Sequence, residues 1–282
     1  MPERPLGRVT ILGLGLMGGS LARALTALET AERVTGWSPR STERDAALTA
    51  GAVGFASADW RQAVSDADIV VMAMPLGPCL EMLDDIAAAT PESATLTDVV
   101  SLKQPLAEAV RRTPAEDRWV GGHPMVGGAS SGFWASRADL YQGARVWMVR
   151  GTATEAHVTR VRALWRAVGA TVQEVDASKH DRAMALASHL PQLVSNALAA
   201  VLAAEEVRPS SLGPGGSDMT RLASSSPAMW LDLLAHSHPD LVKGLRAVGE
   251  EAERIADYVE TLDLAELSNL MRKTATWKEG RR

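Results

Sequence analysis

The chain has 282 residues, long enough for two domains, and its 46% hydrophobic and 22% charged residues exclude a disordered protein. A net charge of −5 leaves no basic field for nucleic acid or for an anionic membrane surface. The single cysteine, Cys79, cannot form an internal disulfide; it fits a reducing, cytoplasmic setting and reads as a small buried hydrophobe.

The opening MPERPLGRVTIL lacks the apolar core of a signal peptide and runs directly into a strand pattern. Further β-like runs cover Arg8–Leu12, Arg33–Trp37, Asp68–Pro75, Ala94–Val100, Arg118–Pro124, Arg145–Arg150 and Thr171–Val175, with Ala- and Leu-rich helical stretches between them. This alternation predicts an α/β fold with a Rossmann-type doubly wound sheet, mostly parallel. Beyond Asp176 the β-branched runs stop, so the sequence predicts a dinucleotide-binding domain over 1–176 and an all-helical domain over 177–282. The longest apolar tract, Leu186–Ala204, is interrupted by Ser188, His189, Gln192, Ser195 and Asn196 and reads as a buried helix, not a membrane span. So apolar a helical domain needs a partner surface, and the expectation is a homodimer.

The stretch ILGLGLMGGSLA sets Gly13, Gly15 and Gly18 in the G-x-G-x-x-G spacing, directly after a strand and at the opening of a helix. In that context the glycines let the backbone approach a pyrophosphate held at the helix N-terminus. Leu16 and Met17 in the same turn, and Pro75 at the end of the third strand candidate, complete the predicted cofactor contacts. At the end of the second strand candidate, where a carboxylate would bind the ribose 2′-hydroxyl of NAD, the chain reads GWSPRST. Ser38 takes the acidic position and Arg40 follows; a hydroxyl plus a guanidinium suits a 2′-phosphate, so NADP is the preferred cofactor and NAD the alternative.

In GGHPMVGGAS, His123 ends the fifth strand candidate between two glycine pairs. Ligands of open α/β sheets lie beyond the carboxyl ends of the strands, so position aims His123 at the nicotinamide. The glycines are expected to let substrate and nicotinamide come close to the imidazole. Ser101 and Lys103 follow the fourth strand candidate; Lys103 either fixes that loop or faces the substrate. In HDRAMALASHLPQ, His180 and His189 lie about two and a half turns apart, on different faces of one helix, which is not metal-ligand spacing. With no H-E-x-x-H or C-x-x-C either, no metal is expected. His180 and Asp181 read as a surface pair at a helix start.

Taken together, GLGLMGGSLA, TDVVSLK, GGHPMVGGASSG, HDRAMALASHLPQ and GGSDMTRLASSSPAMW resemble, in order, the motifs of prephenate and arogenate dehydrogenases of tyrosine biosynthesis. The resemblance implies oxidative decarboxylation of prephenate to 4-hydroxyphenylpyruvate or of arogenate to tyrosine. It implies His123 as catalytic base, Ser101 as its partner at the substrate hydroxyl, and Arg221 as the grip on a substrate carboxylate. On the residues alone, Arg221 could instead pair with Asp218 three positions earlier. His189 and Gln192 are placed around the substrate. Many members of that family have a histidine where this chain has Gln192, and some an acidic residue at Ala129, so the choice between a keto acid and an amino acid rests on these positions, with prephenate preferred. Rival readings are a 3-hydroxyacid dehydrogenase or imine reductase on the same plan, and a non-catalytic NADP-binding redox sensor.

Overall fold

The computed structural model describes residues 6–127 and 131–280. In chain order the first elements are β1 (Arg8–Leu12), α1 (Leu16–Ala27), β2 (Arg33–Trp37), α2 (Ser41–Thr49), β3 (Phe55–Ser57), α3 (Trp60–Val64), β4 (Ile69–Met72) and α4 (Leu76–Ala89). They continue with β5 (Thr95–Asp98), α5 (Gln104–Val110), β6 (Trp119–Pro124), β7 (Arg145–Val149), α6 (Glu155–Ala167) and β8 (Thr171–Glu174). From there the chain is helical: α7 (Ala177–Met184), α8 (Leu190–Ala204), α9 (Pro214–Thr220), α10 (Pro227–Leu234), α11 (Asp240–Glu260) and α12 (Leu264–Lys278).

The strands form one sheet in the order β3-β2-β1-β4-β5-β6-β7-β8. Neighbours are parallel except β6 and β7, where the chain doubles back. A mostly parallel sheet is covered on both faces, and the central strands accordingly carry unbroken apolar runs such as IVVM in β4. Their alternate residues feed separate cores. Val9, Ile11, Ile69 and Val71 pack with Leu21, Leu25, Val161 and Trp165 of α1 and α6, whereas Leu12, Val70, Met72 and Leu96 pack with α3, α4 and α5. Cys79 lies fully buried in the second of these cores, and burial pushes its thiol up to about 12.

All seven strand candidates are strands, mostly trimmed at their ends; the sequence reading omits β3, a three-residue strand at the sheet edge. The fold divides into two compact units: the chain up to Asp181 together with Ser225–Ser237, and Arg182–Ser224 together with His238 onward. The division between these packed units falls inside α7. The return of Ser225–Ser237 to the first unit has a local cause. Asp232 on α10 accepts the backbone N–H of Gly77 (3.1 Å) in the first turn of α4, whose N-cap, Pro75, offers no side-chain acceptor.

In the second unit the structure corrects the expectation of a buried helix over Leu186–Ala204. α8 buries Gln192 and Ser195, while Leu186 and Val201 are 43% and 61% exposed. Apolarity says that a surface prefers to leave water, not which surface covers it. Residues Ala185–His189 form a π-helical turn ahead of Pro191, which has no N–H to continue the α-helical ladder.

Candidate active site

The turn between β1 and α1 has the shape of a phosphate cradle, and its three glycines do three different things. Gly13 has φ +108°, and a Cβ there would lie 2.4 Å from the Ala73 carbonyl oxygen; one on Gly18 would lie 1.9 Å from the Gly13 oxygen. Those two let strand, turn and helix close on one another. A Cβ on Gly15 would meet nothing within 4 Å, so this glycine faces open space. Gly15 is the N-cap of α1, contributes no side-chain bond, and the first turn carries no acidic residue. The first-turn amides, including those of Leu16 and Met17, are therefore left for an anion. These features fit a dinucleotide pyrophosphate.

The loop after β6 is fastened to the same helix. Tyr141 Oη donates to the Met17 carbonyl (2.7 Å), the Arg137 N–H donates to Ser20 Oγ (3.0 Å), and Arg23 Nε donates to Ser136 Oγ (2.8 Å). Phe133 packs against Gly19, with the Arg23 guanidinium 4.5 Å from its ring centroid.

At the end of β2, Ser38 is fully buried and its hydroxyl donates to Glu43 Oε2 at 2.5 Å. Arg40, with a side chain 73% exposed, donates to Glu43 Oε1 at 3.0 Å, and Arg44 donates to the Ser38 carbonyl at 2.6 Å. The sequence reading omits Glu43: a carboxylate does stand beside the predicted 2′ position, five residues along the chain and folded back onto it.

His123 lies half-buried on β6, opposite Trp147 of β7. Its glycine neighbours are there for a reason other than substrate approach. A Cβ on Gly121 would lie 2.8 Å from the Trp119 ring, and one on Gly122 would lie 2.6 Å from the Asp98 carbonyl oxygen. Both are fully enclosed by the sheet's own packing. Gly127 meets nothing within 4 Å, and Gly128, like Ala129, lies outside the described residues. Lys103 resolves in favour of the structural alternative: it is fully buried, its ammonium bonds Asp98 Oδ1, and it donates to the Gly122 carbonyl at 2.7 Å. Burial pushes the Asp98 carboxyl upward, with the Lys103 ammonium opposing.

The structure also overturns the reading of His180 and Asp181 as a surface pair. They are 1% and 2% exposed. His123 Nδ1 lies 2.9 Å from His180 Nε2, and His180 Nδ1 lies 2.7 Å from Asp181 Oδ1. Asp181 also accepts the N–H groups of Lys103 and Gln104, each at 2.8 Å, at the start of α5.

The first unit thus gathers Gly13, Gly15, Leu16, Met17, Gly18, Ser38, Arg40, Pro75, Ser101 and His123 at the carboxyl ends of β1, β2, β4, β5 and β6. Arg221, His189 and Gln192 belong to the second unit. There Arg221 is exposed and makes no ion pair with Asp218 among the described residues. Gln192 is 3% exposed and its amide donates to the Leu222 carbonyl (2.7 Å), next to Arg221, and to Asn196 (2.8 Å). His189 is buried at the end of the π turn.

A doubly wound sheet, a glycine cradle and an imidazole at a strand end define a nicotinamide-dinucleotide-dependent oxidoreductase. The chain matches the family model for the prephenate dehydrogenase nucleotide-binding domain over residues 21–174 and that for the prephenate dehydrogenase dimerization domain over residues 176–273. It belongs to the prephenate dehydrogenase family. Prephenate dehydrogenase of Bacillus subtilis (strain 168) is 30% identical, over 96% of this chain and 75% of that protein. Cyclohexadienyl dehydrogenase of Zymomonas mobilis is 27% identical, over 83% and 82%. The fold is that of the Aquifex aeolicus prephenate dehydrogenase crystallised with hydroxyphenyl propionate and NAD+, with a TM-score of 0.88 at 24% identity, over 97% of this chain and 98% of that one.

Proposed function

We propose that this protein is a cytoplasmic, homodimeric prephenate dehydrogenase that oxidatively decarboxylates prephenate to 4-hydroxyphenylpyruvate with NADP. The observation that carries the reading is the imidazole of His123 at the carboxyl end of β6, in the sheet whose β1–α1 turn leaves Gly15 open to a dinucleotide. Gly13, Gly15, Leu16, Met17, Gly18 and Pro75 would hold the dinucleotide. When bound, its nicotinamide supplies the hydride acceptor. His123 takes the proton from the ring hydroxyl, a step worth about 10²- to 10⁴-fold in rate. Ser101 hydrogen-bonds the same hydroxyl. Arg221 is assigned to a carboxylate of the substrate, which a guanidinium can hold by a bidentate pair, and His189 and Gln192 to substrate binding; Gln192 tethers the Arg221 turn.

NADP is favoured by Ser38 and by the guanidinium groups of Arg40 and Arg44. Glu43 already occupies two of these donors, so a 2′-phosphate has to displace it, which leaves NAD a usable second cofactor. A second copy of the chain covers the apolar residues left exposed on the helical unit: Val201 of α8, Val242 and Val259 of α11 and Met271 of α12. The reading is tested with purified protein, prephenate or arogenate, and NADP or NAD, following reduced cofactor by absorbance. Prephenate with NADP is expected to be fastest. A faster rate with arogenate would move the assignment to arogenate dehydrogenase, and no reduction in any of the four mixtures would refute it.

A further inference from the structure

We infer that His180 and Asp181 are a positioning dyad that sets the tautomer and orientation of His123, an inference that rests on His123 being the base of the dehydrogenase reaction. The chain of hydrogen bonds carries it when His180 is neutral. A carboxylate oxygen only accepts, so the 2.7 Å contact to Asp181 Oδ1 puts a proton on His180 Nδ1. Neutral His180 then has its lone pair on Nε2, which lies 2.9 Å from His123 Nδ1. His123 therefore carries its own proton on Nδ1, and the lone pair that can take a substrate proton is on Nε2.

The dyad is held rigidly enough for the task. Asp181 is anchored by the amides of Lys103 and Gln104, and Trp147 lines the His180 ring, centroids 6.4 Å apart at 74°. Burying a carboxylate and an imidazole is costly unless their polar atoms are bonded, and here both His180 nitrogens are engaged, one by Asp181 and one by His123. As Nε2 accepts the hydroxyl proton, His123 keeps its Nδ1 proton and becomes an imidazolium; that proton still donates to His180, whose own Nδ1 proton faces the carboxylate. No proton leaves the dyad. Among the described residues, charges on the neighbouring elements include the Lys103–Asp98 ion pair under Gly122 and Arg145 on β7, 5.5 Å from the Trp147 ring centroid.

The primary test needs no turnover: ¹⁵N spectra of histidine-labelled protein, with His123 assigned from His123→Ala. The expected state is a neutral ring protonated at Nδ1. A ring protonated at Nε2 would overturn the dyad. Among variants, Asp181→Asn should lower kcat by up to about 10⁴-fold, the loss seen when the orienting carboxylate of a triad is replaced, with KM and dinucleotide Kd changed less than about threefold. Its acid limb should move to lower pH, because losing the negative charge disfavours the imidazolium whose formation shuts the base off. His180→Gln, whose amide can still accept from Nδ1, should retain more activity than His180→Leu; equal loss in both would count against the dyad. Where Asp181→Asn does not fold, the wild-type spectrum alone decides. An inactive wild type with the Nδ1 tautomer would sink the dehydrogenase reading while leaving the dyad standing; an active wild type with the Nε2 tautomer would do the reverse.

Discussion

Replacing Lys103 by Met removes the ammonium from between Asp98 and the Gly122 carbonyl without changing the bulk of the side chain much. Both members of the ion pair are fully buried, so water cannot take over either bond. Removing one partner from a buried pair costs about 3–5 kcal/mol, a range that absorbs the unsatisfied Gly122 oxygen. For a unit of this size that is a fall in Tm of roughly 6–20 °C. The sign of the pH dependence follows from Asp98. Without Lys103 opposing it, burial holds the folded-state carboxyl above its unfolded value, so the folded variant binds a proton the unfolded chain releases, and its deficit shrinks as pH falls through the folded pKa. Thermal unfolding of the full chain from pH 8 to pH 5, for Lys103→Met and for Lys103→Met with Asp98→Asn, measures this. The double variant should be more stable than Lys103→Met at pH 8. A deficit below about 1 kcal/mol, a pH-independent deficit, or a double variant no better than the single would show that the pair is not the clasp described here.

His123→Ala should lower kcat by about 10²- to 10⁴-fold with dinucleotide Kd unchanged, measured by steady-state kinetics and titration calorimetry; parallel loss of both would make it a structural residue. Arg221→Ala should raise KM for the acid substrate about 10- to 100-fold, the worth of a charge-assisted pair, with kcat less affected. Glu43→Ala frees Ser38 and Arg40, so the ratio of kcat/KM for NADP over NAD should rise; a ratio that falls or holds would remove Glu43 from the cofactor site. Burial holds His157 below the ordinary histidine pKa, so the folded state resists its protonation and stability is lost as pH falls below about 6.5. His157→Gln should flatten the Tm profile between pH 7 and pH 5.

What could be read from the sequence divides along a physical line. Strands such as β1 and β4 carry their signal locally, in apolar runs bounded by turns, and the cradle is legible because Gly13, Gly15 and Gly18 are adjacent in the chain. β3 is only three residues long and buries little, so no run announces it. His180 and Asp181 look solvated because neighbouring polar residues at a helix start usually are; their burial comes from β6, β7 and the start of α5, which approach from far along the chain. The same holds for Glu43, whose place beside Ser38 depends on how α2 turns back on β2. The glycines around His123 were legible as a constraint but not as its cause, since Trp119 and the Asp98 carbonyl are invisible at that point of the sequence.

Tyr141, Arg137, Ser136 and Phe133 rivet the segment that follows the His123 strand onto α1, the helix whose N-terminus carries the glycine cradle. α1 is thus clamped on its outer flank as well as against the sheet, so the glycine cradle at its N-terminus and the chain that follows β6 brace one another.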